Sequence, residues 1–229
     1  SIPASRSNLY QWVVSPDALS PAARMRVQAA GAPLFTDVSD VAFTVAGIDI
    51  TWPAPATRLK RGTTTNVLWR SAGAGTNVSI EIQQEPGGPW SLVAAAAPNT
   101  DGANSYPIAL TNVLSDEVRL RIASLSDPQV TGISEAFVVG GIDLLSPDGH
   151  PDPAQTESWP AGSAQTIAWL SAGAGEMVDI HYSTNSGQSW TPVALAYPNT
   201  NWPAGSNTCA WTVPSPLTTS AQVRIRSTI

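Results

Sequence analysis

Charge is scarce in this chain. Only 12% of its 229 residues are Asp, Glu, Lys or Arg, about half of the roughly 25% usual in soluble domains, and Lys60 is the sole lysine. At a net charge of −6 there is no basic stripe to neutralise phosphates or grip anionic lipid, which argues against nucleic acid as a partner. Cysteine is nearly missing too. Cys209 is the single one, so no internal disulfide staples the fold and the redox compartment stays open. Long apolar runs are absent: the stretch Leu92 to Ala97 stops at Pro98, far short of the roughly 20 residues a spanning helix needs, and no membrane span is expected. The chain opens at Ser1 with neither Met nor a signal segment, so it is expected to be processed or cut from something longer.

What is plentiful is small, polar and turn-forming. Hydrophobic residues reach an ordinary 42%, and 17 Gly and 20 Pro punctuate the sequence, the composition of a folded protein with many turns. Moreover, the chain repeats itself. Residues 62–100 and 162–200 align without a gap at an offset of 100, with 17 of 39 positions identical. The shared positions include Trp69 and Trp169, the Ser-Ala-Gly-Ala-Gly runs 71–75 and 171–175, Trp90 and Trp190, and Pro-Asn-Thr at 98–100 and 198–200. Further on, Tyr106 and Val118-Arg-Leu-Arg121 answer Trp211 and Val223-Arg-Ile-Arg226 at an offset of 105.

The N-terminus joins this pattern out of phase. Trp12 and Arg24-Met-Arg-Val27 resemble the stretch from Tyr106 to Ile122, while Phe43 and Gly47-Ile-Asp49 match Phe137 and Gly141-Ile-Asp143 at an offset of 94. Residues 1–46 therefore read as a repeat's tail, 47–140 as one whole repeat, and 141–229 as another that stops before its last strand. A period of 94–105 residues is too long for solenoid units of about 20–50 and fits beads of small domains.

Within each repeat apolar residues alternate, as at Val78, Ile80 and Ile82 or Val118, Leu120 and Ile122, the period of a half-buried strand. Short strands separated by Gly, Pro and Asn turns predict an all-β protein: tandem Ig-like antiparallel β-sandwiches. Trp69 and Trp169 are the natural core tryptophans. Ser20-Pro21 and Gly31 bracket residues 22–30 with helix-like start and stop signals, yet the Arg24–Val27 core matches strands elsewhere, so a strand is expected there. Short Gly-Ile-Asp junctions predict a stiff rod, with Asp49 and Asp143 fixing the joints between domains.

The pattern Gly162-x3-Thr-Ile-Ala-Trp-x-Ser171, then residues 178–190, Trp211-Thr-Val-Pro214 and Val223-Arg-Ile-Arg226 resembles immunoglobulin-like modules repeated in large bacterial surface and secreted proteins. It is also similar to the domain of the fungal Kre9/Knh1 cell-wall family. The resemblance implies an exported, non-catalytic module acting as spacer, adhesive element or assembly unit. Ser183-Thr-Asn-Ser-Gly-Gln-Ser-Trp190 is similar to the Asp-box hairpin of sialidase-like propellers, with Asn185 in the Asp place, and is read as turn chemistry.

Catalytic patterns are missing: there is no G-x-S-x-G, H-E-x-x-H, Walker or G-x-G-x-x-G motif, and His181 is expected to face solvent opposite Val178 and Ile180. An enzyme is not expected, nor a cofactor. Asp148, His150 and Asp152, with Glu157 downstream, offer oxygen ligands suited to calcium, or to zinc through the histidine; the plain reading is a solvated turn. Trp52, Trp159 and Trp202 lie outside the expected core and are candidates for glycan stacking or an interface, Trp202 foremost. A last domain without its final strand has an open edge, and the segment holding Val41, Phe43 and Val45 matches the missing piece. One expectation is that residues 1–46 of one subunit complete 141–229 of the next by strand addition, head to tail, in an extracellular or cell-surface structural protein; the alternatives are a fragment with arbitrary boundaries and an N-terminal segment that folds back on its own chain. The competing expectation is the accessory carbohydrate-binding region of a secreted hydrolase.

Overall fold

The computed structural model describes residues 9–15, 18–149, 157–200, 206–215 and 217–229. Among them every regular element is a strand, and no helix is long and apolar enough to cross a membrane. The N-terminal segment carries β1 (Ser20–Ala23), β2 (Arg26–Gln28), β3 (Thr36–Val38) and β4 (Phe43–Val45). β1 pairs with β4 and β2 with β3, both antiparallel. The residues bracketed by helix signals are thus extended, as the repeat pattern requires.

The next strands build a two-layer sandwich. β5 (Gly47–Trp52), β7 (Thr64–Ala72) and β10 (Gly102–Ala109) form one sheet in the order β10-β7-β5. Facing it lie β9 (Ser91–Pro98), β8 (Asn77–Gln83), β11 (Ser115–Ser124) and β13 (Phe137–Ser146), in that order. β6 (Arg58–Lys60) runs parallel to β13, and β12 (Thr131–Ile133) folds back onto β11. Alternation places Val67, Trp69, Val78, Ile80, Leu120 and Phe137 in the gap between the sheets, all of them buried, which is where such strands bury their apolar face.

β13 does not stop at the edge of this sandwich. Its first half pairs with β11 (Val118↔Phe137, Ser115↔Val139) and its second half with β14 (Ala164–Ala172), through Gly141↔Ala172 and Leu144↔Trp169. One strand thus closes one core and opens the next. The second core, around Ile167, Trp169, Val178 and Ile180, lies between β14 with β17 (Asn207–Thr212) and the sheet β16-β15-β18, formed by β16 (Thr191–Pro198), β15 (Met177–Ser183) and β18 (Gln222–Ser227). The architecture is all-β, in tandem Ig-like sandwiches.

Repeated residues do repeated work. Asn99 Oδ1 accepts hydrogen bonds from Trp69 Nε1 (2.8 Å) and Ser71 Oγ (2.9 Å), and its Nδ2 donates to Gly75 O (2.7 Å). Asn199 makes the same three bonds to Trp169, Ser171 and Gly175, at 2.8, 2.7 and 2.7 Å. All six side chains are buried. The Trp-x-Ser, Gly and Pro-Asn-Thr motifs are therefore one device: a buried amide satisfying the indole and holding the 71–75 or 171–175 loop to the core.

The Ser-Ala-Gly-Ala-Gly loops also meet the preceding unit. Gly73 and Gly173 have φ of 61° and 58°, and a Cβ on them would come within 2.7 Å of Thr44 Cγ2 and 2.9 Å of Val138 Cγ1. Only glycine meets both demands. Since Thr44 and Val138 are equivalent at the offset of 94, the N-terminal segment sits on the first sandwich as the first sandwich sits on the second. That second joint carries polar ties as well: Arg61 Nη1 to Asp143 Oδ1 at 2.8 Å, Arg58 Nη1 donating to Gly173 O at 3.1 Å, and Gly173 N donating to Asp116 Oδ1 at 2.8 Å. Asp143 thus ties the joint, as expected from the Gly-Ile-Asp repeat, whereas among the described residues Asp49 makes no such ion pair.

Candidate functional site

Two apolar surfaces are left uncovered among the described residues. The first is the N-terminal segment. Its hairpin reproduces the closing hairpin of the first sandwich pair for pair: Arg26↔Val38 and Gln28↔Thr36 answer Arg121↔Ile133 and Ala123↔Thr131, each residue displaced by 95. Likewise Ser20↔Val45 and Ala23↔Phe43 answer Ser115↔Val139 and Val118↔Phe137. Identical pairing does not bring identical burial. Phe137 and Ile122 are 0% exposed, whereas Phe43 is 39% and Val27 68% exposed; among the described residues the strands that cover the former have no counterpart over the latter. Val41 is also exposed, while Val45 is buried.

The second surface is the open side of β18. In the first sandwich β11 lies between β8 and β13; β18 has β15 on one side and, among the described residues, no strand on the other. Val223 and Ile225 are only half-buried, where Val118 and Leu120 are fully buried. Beside them opens a cleft of about 460 Å³, lined by Trp159, Tyr182, Trp211, Val213, Leu217 and Val223. Trp211 packs against Trp159 and Tyr182 with ring centroids 6.0 and 5.2 Å apart. In the first sandwich the strand that fills this place runs between β11 and β6, with Val139 opposite both Ser115 and Leu59.

Placement of the singled-out residues is uneven. Trp159 is half-buried, packs on the second core and lines the cleft; Trp52 is half-buried at the end of β5. Trp202, His150 and Asp152 lie outside the described residues. Asp148 N donates to Glu157 Oε2 and Ser146 Oγ to Glu157 Oε1, both at 2.8 Å. Among the described residues no three His, Cys, Asp or Glu side chains gather as metal ligands.

His181 departs from expectation. It sits off the core face but is half-buried beside Arg224, its partner in register, whose guanidinium lies 4.1 Å above the Trp190 ring. His181 Nδ1 is buried and unpaired, because Arg224 has the place that Arg121 has opposite Glu81, and Glu81 makes a 2.6 Å ion pair there. The 183–190 segment is a hydrogen-bonded turn: Asn185 Oδ1 accepts from Ser189 N at 3.0 Å and Ser183 Oγ from Gly187 N at 2.9 Å. Cys209 is a buried free thiol, its pKa raised by burial and partly offset by Tyr197.

Sequence reading missed Tyr182, Trp211 and Val223 as lining residues. The signal lay in the repeat itself: Leu59, Ile82 and Tyr106 become Trp159, Tyr182 and Trp211 in the second copy, three enlargements that converge on one cleft.

No protein-family model matches the chain, and none of the curated proteins matches it. Among solved structures it is similar to the two Ig domains of DIP-gamma, at 10% identity and a TM-score of 0.31, over 79% of this chain and 96% of that one. It is similar to fibronectin(III)-like modules of CbhA from Clostridium thermocellum at 11% and 0.26, over 72% and 78%. A multidomain piece of titin follows at 14% and 0.27, over 93% and 70%. Such distant likenesses add nothing to the strand order given above.

Proposed function

We propose that this chain is a non-catalytic structural protein of tandem Ig-like domains that assembles head to tail, the segment around Val41, Phe43 and Val45 of one copy completing the open sandwich of the next. One observation carries the reading: residues 36–45 resemble 131–139, which close the first sandwich, in sequence and pairing register, and among the described residues no strand lies at the equivalent place in the second. Strand addition supplies main-chain hydrogen bonds, while a side chain seated in a pocket sets the register. Here the seated group is Phe43, whose equivalent Phe137 is buried opposite Val118. Burying a phenyl ring contributes roughly 1.5–3 kcal/mol. The resemblance to surface modules supports an extracellular rod with an adhesive or spacer role.

The test is negative-stain microscopy and light scattering over a concentration series, on the full chain and on Phe43→Asp. Linear assemblies of the first that vanish in the second are expected. A chain that stays monomeric at high concentration refutes the reading.

The aromatic lining of the cleft also favours a second reading, a glycan site, since Trp and Tyr faces stack on sugar rings. Polysaccharide binding lost in Trp211→Ala but kept in Phe43→Asp would select it over assembly.

A further inference from the structure

Trp52, singled out by sequence alone, acquires neighbours in the fold. It stands at the end of β5 opposite Leu68 of β7, and Leu68 stands opposite Ser105 of β10, so the three lie in one row across the sheet. That row is on the outer face. Val67 and Trp69, on either side of Leu68, are buried at 0% and 1% exposure, whereas Leu68 is 39% exposed. Trp52 is half-buried yet packs on neither core, so its ring is steadied at the surface. The second sandwich has Ser146 opposite Ala168 at the matching positions. The aromatic row belongs to the first sandwich alone.

We infer that this outer face of the β10-β7-β5 sheet binds a neutral carbohydrate, with Trp52 as the stacking surface. The inference goes beyond the assembly reading, and its site is on the other sandwich from the aromatic cleft.

Three features select the occupant. The first is chemistry: a tryptophan face takes up the C–H side of a sugar ring, and polar groups set beside an apolar surface fix a ligand's orientation. The Asn66 amide and the Ser105 hydroxyl are on exposed residues and have no hydrogen-bond partner among the described residues. Asn66 is two residues from Leu68 along β7, about 7 Å, within reach of one ligand lying on Trp52. The second feature is charge. Trp52, Asn66, Leu68 and Ser105 carry none, and the charged residue next along this face of β7, Arg70, stands opposite Asp49. A face with no net charge exerts no pull on an anionic polymer. The third is extent. A protein partner needs roughly 800 Å² on each side, and among the described residues Trp52 and Leu68 are the large apolar side chains this face offers. Nor does its edge invite a strand, since β10 is the edge strand and carries Pro107, a residue that blunts edges.

The test is affinity electrophoresis of the full chain in gels holding a β-glucan, a xylan, a mannan or, as the anionic comparison, polygalacturonate, with wild type, Trp52→Ala, Asn66→Ala and Trp211→Ala. Wild type is expected to be retarded by at least one neutral polysaccharide and not by polygalacturonate. Trp52→Ala should weaken that binding roughly tenfold and Asn66→Ala roughly threefold, while Trp211→Ala leaves it unchanged. Urea midpoints establish that each variant is folded; should Trp52→Ala fail there, the exposed Asn66→Ala reads the same face. No retardation by any neutral polysaccharide, preference for polygalacturonate, or wild-type binding in both Trp52→Ala and Asn66→Ala refutes the site. Binding lost in Trp211→Ala alone refutes it too and moves the sugar to the cleft, and none of these outcomes touches the head-to-tail reading.

Discussion

Asn99→Ala should unfold the first sandwich selectively, and its cost can be worked bond by bond. The substitution removes the acceptor of Trp69 Nε1 and the donor to Gly75 O. Ser71 Oγ keeps a partner, since it also donates to Thr100 O at 3.0 Å. Trp69 Nε1 is thus orphaned in a core where Trp69 and Asn99 are 1% and 3% exposed, at about 1–3 kcal/mol, and the bond to the exposed Gly75 is lost at about 0.5–1.5 kcal/mol more. With the small void added, the expected loss is about 3–5 kcal/mol, a large part of the 5–15 kcal/mol that holds a domain together. In a unit this size that lowers the melting temperature by roughly 15–30 °C. Tryptophan fluorescence during urea unfolding reads the loss directly, with Asn199→Ala moving the transition of the other sandwich instead. Ser71→Ala serves as the comparison, because Asn99 Oδ1 then keeps Trp69 and the cost should fall to about 1 kcal/mol. An Asn99→Ala protein within 1 kcal/mol of wild type, or no worse than Ser71→Ala, refutes the account of the Pro-Asn-Thr motif.

His181→Glu should give Arg224 the ion pair that Arg121 has with Glu81, stabilising the second sandwich by up to about 0.5–1 kcal/mol at low salt, less in high salt; unchanged denaturation midpoints at low salt count against it. Asp116→Ala with Arg58→Ala cuts two ties at the joint with Gly173 and should broaden the distribution of inter-domain distances in small-angle scattering of a Phe43→Asp background, while stability moves by less than about 1 kcal/mol; an unchanged scattering curve refutes the tie. The Cys209 thiol, raised by burial, should react with Ellman's reagent only after unfolding. Because its folded value lies above the ordinary 9.0, its effect on stability is absent at neutral pH and turns unfavourable as pH rises past that ordinary value, where the unfolded thiol ionises first; Cys209→Ala should flatten this alkaline loss.

Much of the fold could be read from the sequence because repetition is a stronger signal than local propensity. Ser20-Pro21 and Gly31 bracket a good helix, and only the likeness of Arg24–Val27 to Val118–Arg121 points to extended chain. The joint could be read at Gly-Ile-Asp for the same reason. What could not be read was partnership. The Trp-Asn-Ser bridge was visible as recurring letters, but nothing in a single row of residues says that positions 30 apart share a hydrogen bond. His181 was assigned to solvent by alternation alone, which fixes the side of a strand and not what covers it; Arg224 stacked on Trp190 supplies the cover.

Because the two sandwiches share so many residues, each serves as the other's control, and two groups of differing positions stand out. At the joint within the chain, Arg58, Arg61 and Asp116 hold the next unit through charge; their equivalents Ser158, Ala161 and Ala221 are uncharged. At the open face, Leu59, Ile82 and Tyr106 have become Trp159, Tyr182 and Trp211. A sandwich edge kept for solvent is normally blunted by charge or proline. Here charge gives way to small residues and aromatic area is gained within the same unit. The joint within the chain has ionic ties that salt weakens, while the core around Trp169 is held by burial, which salt does not screen.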